Sequence, residues 1–378
     1  MFAAVPRVDT RVLAQSLWLR PSEWLRWQAL PAAVIASWLS SRLFVDLMLL
    51  IGGLGRAIPL RQVFSAWDGN WYQQIARYGY TWAHAIPADP TDLQSPLQTS
   101  FPFFPLLPMV LALARQLGLP QLTTGLVVGH LSLLVGLALT HALVRRLSGK
   151  VAADWSCWFL AFSPGSVAYS MIYPEGLFLV CSTGAFLALG QCRWWLASSL
   201  AAIATLVRPN GLVVSLALAG EALLTGSRPG RVLGLLAPSL LVLLLWSAYL
   251  MAISGNPLIW VHAKQAWGEV SLFNLHASEG MFPWIQCAFG IVALGLLLLG
   301  WSCQPWGWRL FGLLWIVPSF LIGMVGFPRY ASACFPVFAS LGDRVGHLGS
   351  IRFVLLGLSA AALALHTIQV GVLQRWIP

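Results

Sequence analysis

Charged side chains are scarce in this 378-residue sequence: they make up 9% of it, against about 25% in soluble domains. Acidic residues number 12, whereas 58% of the chain is hydrophobic and the mean hydropathy is +0.76. So few charges cannot cover the surface of a globular domain. The composition therefore excludes a soluble protein and indicates one that crosses a membrane several times.

Metal-ligand spacings and disulfide patterns are also missing. The six Cys lie within or beside apolar segments without a CxxC pair, and the seven His show no ligand spacing. Asp89 and Asp92, in a Pro-rich loop, leave a divalent cation open without indicating a metal site. The net charge of +10 is scattered between apolar segments, which favours orientation in a membrane over nucleic-acid binding.

Eleven apolar segments predict an all-α, polytopic transmembrane protein with about 11 spans, forming a single domain over residues 1–378. Several segments are shorter than the ~20 residues of a perpendicular span, so tilted or broken helices are expected. Residues 1–31 carry Arg and Trp without a following cleavage site and are predicted to be a cytoplasmic arm at the membrane surface. The segments are 32–51, 121–145, 152–171, 174–192, 194–207, 211–225, 232–253, 284–301, 309–326, 330–343 and 351–371.

The proline-rich stretch 101–118 decides the orientation. If the amino terminus is cytoplasmic and this stretch does not cross, the basic residues of the later loops face the cytoplasm, as the positive-inside rule favours. We therefore expect it to pack at the outer boundary. Residues 52–120 then form a large first extracytoplasmic loop with interface helices, and 254–283 a second outer loop. The basic residues in question are Arg145, Arg146, Lys150, Arg193, Arg228, Arg231, Arg309, Arg344 and Arg352.

One stretch of the first outer loop has the pattern of an interface helix. Trp67, Trp71, Ile75 and Tyr78 recur at helical spacing, and such rings sit at headgroup depth. Asp68 falls in the first turn of this helix, where we predict a catalytic base. The alternative is that Asp68 only caps the helix by accepting a backbone N–H, and the two roles can coexist.

Several charged residues stand where the chain bends at the outer boundary. Arg208, Arg329 and Lys264, with His262 close to the lysine, are candidates for holding an anionic phosphate, because a guanidinium gives two hydrogen bonds to phosphate oxygens. The alternative is that the arginines snorkel to lipid headgroups. Glu175 could orient a substrate hydroxyl, pair with an arginine or cap its helix.

Within the first predicted span, Arg42 and Asp46 are four residues apart. That spacing places both on one helix face, so we expect them to neutralise each other. A role in lining a path through the membrane stays open for this pair.

Five short motifs occur in a fixed order between about residues 60 and 335, and together they resemble the PIG-V family of mannosyltransferases, within the GT-C class of membrane glycosyltransferases. The resemblance implies a polyprenyl- or dolichyl-phosphate sugar donor, an extracytoplasmic or lumenal active site and Asp68 as its base. It extends the candidate substrate-binding residues to Trp67, Asn70, Tyr72 and Tyr330. The motifs are Trp67-Asp68-Gly69-Asn70-Trp71-Tyr72, Phe103-Phe104-Pro105-Leu106-Leu107-Pro108, Tyr173-Pro174-Glu175, Leu206-Val207-Arg208-Pro209 and Pro328-Arg329-Tyr330.

The residues agree with that chemistry. A sugar phosphate already carries a good leaving group, so a carboxylate must take the acceptor's proton and arginines must stabilise the released charge. Direct displacement predicts inversion. We expect transfer of a sugar, mannose by resemblance, to a lipid-linked or glycan hydroxyl, in a bacterial plasma membrane or an ER-type membrane whose lipids surround the protein. A transporter or flippase, which needs charges along a midplane path, and a non-catalytic scaffold are the alternatives.

Overall fold

The computed structural model describes residues 30–88, 92, 95–267 and 282–372. These residues are mostly helical, as the sequence predicts, and a single pair of two-residue strands appears among them. Most of the predicted arm 1–31 and residues 268–281 of the second outer loop lie outside the described residues. The helices and strands are α1 (Ala32–Leu54), α2 (Leu60–Phe64), α3 (Asp68–Tyr78), β1 (Ile86–Pro87), β2 (Leu97–Gln98), α4 (Leu106–Gln116), α5 (Gln121–Ala161), α6 (Glu175–Gly190), α7 (Trp194–Val207), α8 (Leu212–Leu224), α9 (Pro229–Ser254), α10 (Ile259–His262), α11 (Phe282–Leu299), α12 (Trp306–Ile322), α13 (Phe327–Ser332), α14 (Phe335–Val345) and α15 (Ile351–Gly371).

Helix α5 is a hairpin of two arms. Its backbone breaks at Gly149, which has φ 84°, and His141 Nε2 lies 2.9 Å from Asp154 Oδ1. In a straight helix these two residues would be about 20 Å apart along the axis. The arms 121–148 and 150–161 therefore run antiparallel, as expected for two separate apolar segments joined by a short turn.

Four described helices are long and apolar enough to cross a membrane, or five if a bent pair counts as one span. They are α1, α5, α9 and α15, and the bent pair joins the 3₁₀ segment Pro164–Ser170 to α6 at 105°. Helices of 10–17 residues occupy several of the other predicted segments; at 1.5 Å per residue these reach about 15–25 Å, less than the ~30 Å of hydrocarbon. The count of eleven spans thus stays a prediction, with tilted or paired short helices.

The predicted first outer loop folds onto the body of the protein through α3 and α4. With 11 residues, α4 is about 16 Å long, too short to cross a bilayer alone, and the placement of 101–118 at the outer boundary stays a prediction. Trp71 and Ile75 of α3 are buried, together with Leu107 and Leu111 of α4. Tyr78, predicted on the same apolar face of α3, is instead 59% exposed.

Arg42 and Asp46 do not form the direct ion pair that their spacing suggests, although the charge of Asp46 still acts on the Arg42 guanidinium. The buried Arg42 guanidinium donates to the carbonyl oxygens of Ser166 (2.9 Å) and Ala161 (3.3 Å), while Asp46 lies 3.5 Å from His130 Nε2. The carbonyl groups at the end of α5 and in the 3₁₀ segment lie in apolar surroundings, where each missing hydrogen bond is costly. The Ala161 carbonyl oxygen also accepts the Ser166 hydroxyl at 2.8 Å, and Arg42 turns inward to supply further donors to this group of carbonyl oxygens.

The 3₁₀ segment packs closely on the short helix α13. A Cβ at Gly165 would overlap the carbonyl oxygen of Pro328, so this approach requires glycine. Tyr169 donates its hydroxyl proton to the carbonyl oxygen of Ser332 at 2.9 Å, which fixes the same contact. Because Arg329 follows Pro328, these contacts set the position of its side chain.

Candidate functional site

Four charged side chains from distant parts of the chain form one ion-pair cluster. Arg329 Nη1 lies 2.5 Å from Asp68 Oδ2, and its Nε lies 3.2 Å from Glu175 Oε1. Arg208 Nη1 contacts the same Glu175 oxygen at 2.6 Å. The two carboxylates balance the two guanidinium groups, and each is one of the residues that the motifs point to. We call these four residues the ion-pair cluster: Asp68, Glu175, Arg208 and Arg329.

A strained turn presents Asp68. Trp67, directly before helix α3, has φ 58° and ψ −122°, a conformation that L-residues rarely adopt. The hydroxyl of Tyr173 accepts the backbone N–H of Asp68 (3.3 Å) and donates to the carbonyl oxygen of Ala66 (3.4 Å), so it spans the strained residue on both sides. Tyr173 belongs to one of the five sequence motifs but is not among the predicted site residues. Its position two residues before Glu175 is the sequence feature that could have indicated its role.

Asp68 is the first residue of α3 and does not cap it. Trp67 occupies the N-cap position, and no side-chain cap hydrogen bond is present there. The Asp68 carboxylate instead bonds Arg329 and remains 18% exposed. The N-terminal end of α3 also favours a negative charge at this position.

Arg329 is held on several sides. Its guanidinium carbon lies 5.0 Å from the centroid of the Tyr173 ring and 5.1 Å from that of Tyr330. Its Nη2 donates to the Tyr330 hydroxyl at 3.4 Å, and 5% of its side chain is exposed. Such contacts between a guanidinium and aromatic faces stabilise the cation. Arg329 is thus a buried, fixed charge rather than a headgroup anchor.

Arg208 lies at the more open edge of the ion-pair cluster. Its side chain is 12% exposed, and its guanidinium carbon lies 5.1 Å from the centroid of the Tyr330 ring. Lys264 is an exposed residue whose charge interacts with both Arg208 and Tyr330. Partial desolvation by the surrounding atoms, together with the Arg208 charge and against the Tyr330 phenol, lowers the pKa of Lys264. Because the four ion-pair residues sum to zero, Lys264 supplies a positive surplus at this edge.

Glu175 links the two arginines. It is the first residue of α6 and fully buried, with Oε1 between Arg208 and Arg329. Pairing with the arginines was one of the three roles considered for it. Its Oε2 has no hydrogen-bond partner among the described residues. Glu175 therefore fixes the spacing of the two guanidinium groups.

Three of the remaining predicted site residues, Tyr72, Trp67 and Asn70, lie in helix α3 or directly before it. Tyr72 is buried with its ring 5.2 Å from that of Phe103; burial first, and the Asp68 charge second, raise its pKa, so it keeps its proton. The buried Nε1 of Trp67 lacks a hydrogen-bond partner in the described parts of the chain. Asn70 is exposed and accepts a bond from Ser65 at 3.4 Å, so it is not brought into the ion-pair cluster.

His262 also stands apart from the ion-pair cluster. It lies at the end of α10 and contacts Asn256 at 3.0 Å. Within the described ranges no group of three His, Cys, Asp or Glu residues could hold a metal ion. Asp89 lies outside those ranges, so the divalent cation considered for the Asp89–Asp92 loop stays open.

Comparisons with known proteins agree with the motifs. No family model matches the chain. Over 177 residues it is 30% identical to GPI alpha-1,6-mannosyltransferase 2 of Cricetulus griseus. The aligned residues cover 43% of this chain and 30% of that protein. The Homo sapiens protein of the same name is 29% identical over 185 residues, or 45% of this chain and 32% of its own length. The match thus spans about a third of these curated relatives.

A solved structure shares the fold. The crystal structure of ArnT from Cupriavidus metallidurans bound to undecaprenyl phosphate aligns with a TM-score of 0.50 and 16% identity, covering 84% of this chain and 62% of that one. At that identity the likeness concerns the fold alone. The expected resemblance is therefore confirmed: the chain is similar in sequence to the PIG-V mannosyltransferases and in fold to the GT-C glycosyltransferases.

Proposed function

We propose that this protein transfers a mannosyl unit from a polyprenyl-phosphate donor to a hydroxyl of a lipid-linked or glycan acceptor, with inversion. The observation that carries the proposal is the ion-pair cluster, in which one partly exposed carboxylate meets two fixed guanidinium groups. The sequence similarity to mannosyltransferases and the fold of a protein solved with undecaprenyl phosphate support it.

Asp68 is the general base of this proposal. Arg329 holds Oδ2, and among the described residues no hydrogen bond is made to Oδ1, which leaves that oxygen for substrate. As the acceptor oxygen bonds to the anomeric carbon, the bond from that carbon to the phosphate oxygen breaks. The acceptor's proton passes to Asp68, and the electron pair leaves with the polyprenyl phosphate. A positioned base of this kind contributes about 10²–10⁴-fold to a rate.

The donor phosphate is assigned to Arg208 and Lys264. Arg208 uses one of its terminal nitrogens for Glu175, so the rest of its planar fork is available for phosphate oxygens. Arg329 is already engaged by Asp68, Glu175 and Tyr330. We therefore assign Arg329 the positioning of Asp68, a narrower role than the phosphate binding that its sequence motif suggests.

The positive charge that Lys264 adds to the neutral ion-pair cluster suits the negative charge of the leaving group. Departure of polyprenyl phosphate adds negative charge, and a preorganised cation at that point stabilises the transition state more than the substrate. Lys264 supplies this charge beyond the neutral ion-pair cluster. The insoluble tail of the donor requires the site to lie at the bilayer edge. We place it on the extracytoplasmic side, with the amino terminus cytoplasmic, on the charge distribution of the loops.

The transporter alternative gains no support from the described residues. Its candidate for a charged path through the membrane was the Arg42–Asp46 pair. Arg42 is instead bound to backbone carbonyl groups between α5 and α6. A charge committed to backbone in this way serves packing rather than transport.

The test is transfer of radiolabelled mannose from a synthetic polyprenyl-phosphate mannose by the purified protein in lipid nanodiscs. Asp68→Asn should lower the rate at least about 10²-fold while leaving the protein folded. Asp154→Asn is the matched control, because Asp154 is also ion-paired and similarly exposed at 20%, and it should transfer normally. Normal transfer by Asp68→Asn would remove the base, and absence of transfer by the wild type would remove the proposed function.

A further inference from the structure

A pocket of 290 Å³ lies between the outer-loop β-hairpin and helix α10, and none of the residues of the ion-pair cluster lines it. Its walls are largely apolar, including Leu97 and Ile259, and the polar groups among them are those of Trp82, Thr99 and His262. Gln98 Nε2 donates to the carbonyl oxygen of Ala266 at 3.2 Å, which ties the two walls together. Apolar walls with a few placed polar groups are typical of small-ligand sites.

Trp82 offers an aromatic face at this pocket. Its side chain is 47% exposed, while the edge-to-face contact with the Phe101 ring, 4.8 Å between centroids at 63°, holds it in place. The face of an indole carries partial negative charge. The C–H groups on one side of a pyranose ring carry partial positive charge, so such a ring packs well against it.

Thr99 brings an unused hydroxyl to the pocket. It is 1% exposed, and its Oγ1 has no hydrogen-bond partner among the described residues. A buried polar group without a partner is destabilising, and a ligand hydroxyl that reaches it restores the missing bond. The wall of the pocket thus contains a buried hydroxyl that the described residues leave unsatisfied, and a ligand can bond it when the Thr99 side chain turns toward the pocket.

The protonation of His262 follows from its neighbours. The side-chain oxygen Oδ1 of Asn256 accepts the backbone N–H of Leu258 at 2.9 Å, which orients the side-chain amide so that its nitrogen Nδ2 donates to His262 Nδ1 at 3.0 Å. Nδ1 is therefore the acceptor, and in the neutral ring Nε2 carries the proton. His262 gives the pocket a hydrogen-bond donor, and Thr99 gives it a group that both donates and accepts.

The pocket lies next to the assigned phosphate site along the chain. His262 and Ala263 line it, and Lys264 follows them directly. The charge of Lys264 interacts with Arg208 and with Tyr330. A molecule in the pocket would consequently be one residue away from the cation assigned to the donor phosphate.

We propose that this pocket binds a hexopyranose unit of the acceptor. A pyranose combines one apolar face with a rim of hydroxyl groups, which matches an indole face beside Thr99 and His262, and one such ring suits a pocket below the ~300–1,000 Å³ of drug-sized ligands. The identification of the ligand as the acceptor rests on the proposed glycosyl transfer, whereas the binding of a sugar ring in this pocket does not depend on that transfer.

The experiment measures binding without catalysis. Saturation-transfer NMR on the full chain in lipid nanodiscs, which carry no sugar headgroups, uses methyl α-D-mannopyranoside as the probe and sorbitol, an open chain without an apolar face, as the comparison. Trp82→Ala and the nearly isosteric Thr99→Val should each raise the Kd of the mannoside about fivefold. Trp195→Ala removes an indole that is 83% exposed and does not line the pocket, and it should leave the Kd unchanged.

The outcomes separate the two proposals. A mannoside signal that both pocket variants weaken supports the pocket, whether or not the protein transfers mannose. Absence of a mannoside signal in the wild type, equal signals from sorbitol, or a Kd that neither pocket variant changes would overturn it. If the wild type transfers radiolabelled mannose and Trp82→Ala and Thr99→Val leave the KM for the acceptor unchanged, the transferase stands and the acceptor assignment fails.

Discussion

The two arginines of the ion-pair cluster differ in how much of each guanidinium is already engaged. Arg329 lies against two carboxylates and a phenol, whereas Arg208 contacts a single carboxylate oxygen and is more than twice as exposed. Both terminal nitrogens of Arg329 donate hydrogen bonds, although its buried Nε has no hydrogen-bond partner among the described residues, whereas Arg208 donates from one terminal nitrogen. A guanidinium with both terminal nitrogens in use fixes its neighbours, and one with a terminal nitrogen left over can bind a ligand. Kinetics should therefore separate the two residues, although both belong to Arg-containing motifs.

Arg208→Gln should raise the KM for the donor and also lower kcat, because the phosphate charge that Arg208 holds grows as the donor bond breaks. Losing a hydrogen bond to a charged group removes about 1.5–3 kcal/mol, which corresponds to a tenfold or larger loss of affinity. The measurement is initial rates over a range of polyprenyl-phosphate mannose concentrations. An unchanged KM for the donor would assign Arg208 to structure alone.

Arg329→Gln should lower kcat, because Asp68 loses the group that orients it. Removing one partner of a buried pair also destabilises a protein by about 3–5 kcal/mol, so Arg329→Lys, which keeps the charge, is measured beside it. Partial recovery of kcat in the lysine variant, with a KM for the donor near that of the wild type, supports positioning. A pure increase of the donor KM in both variants would return Arg329 to phosphate binding.

Lys264 adds a pH dependence to donor binding. Desolvation, with the Arg208 charge, lowers the pKa of Lys264 below the ordinary ~10.4. The ammonium group therefore loses its proton at a lower pH than usual, and donor affinity should fall as the pH rises through the lowered pKa. Profiles of the donor KM between about pH 7 and pH 10 test this. Lys264→Arg, which stays charged, should flatten the rise in KM; an identical rise in that variant would place the titration elsewhere.

At the scale of elements, the strained turn before α3 depends on the segment that joins α5 to α6. Trp67 has φ 58°, and such a backbone costs of order 1–3 kcal/mol unless its surroundings hold it. The Tyr173 hydroxyl holds it through Asp68 and Ala66. The start of α3 and the start of α6 are thus coupled through one phenol.

Tyr173→Phe removes both hydrogen bonds of the hydroxyl and should lower kcat at least about fivefold, the effect of about 1 kcal/mol. The ring against Arg329 remains in this variant, so donor KM and helical content should stay as in the wild type. Tyr249→Phe, at a half-exposed tyrosine of α9, is the control and should be fully active. A kcat equal to that of the wild type in Tyr173→Phe would show that the turn keeps its conformation without the hydroxyl.

The sequence was sufficient for features that depend on local chemistry. The apolar segments 194–207 and 351–371 coincide with α7 and α15, and the motif residues Asp68, Glu175 and Arg329 meet in space. The sequence did not predict contacts in which the partner lies far away along the chain. Spacing alone suggested that Arg42 pairs with a residue one turn away, and no local pattern shows that backbone carbonyl groups more than a hundred residues later bind its guanidinium.

For Tyr78 and Tyr173 the missing information was also long-range. Helical spacing placed Tyr78 on the apolar face of α3, but α4 covers the part of that face near Trp71 and leaves Tyr78 exposed. Tyr173 acts through backbone groups of residues 66 and 68, which are about a hundred positions earlier. Periodicity reports the side of a helix, whereas the extent of burial depends on what packs there.

At the scale of the whole molecule, several helices are too short to define the orientation by their length, so the orientation is inferred from the charges of the loops. The hairpin of α5 turns at Gly149 within a basic stretch that includes Arg145 and Lys150. The positive-inside rule places such a turn in the cytoplasm. The ion-pair cluster, which begins in the first outer loop, would then lie on the opposite side of the membrane.

A cysteine at position 148 tests this directly. In a background with the exposed Cys192 and the partly exposed Cys303 changed to Ser, Ser148→Cys should resist an impermeant maleimide added to sealed cells and react once detergent opens them. His84→Cys, at an exposed position of the first outer loop, should react in sealed cells. Because an odd number of crossings separates positions 84 and 148 only if 101–118 stays at the boundary, labelling of both from outside would mean that this stretch crosses, and the site would then need a new orientation.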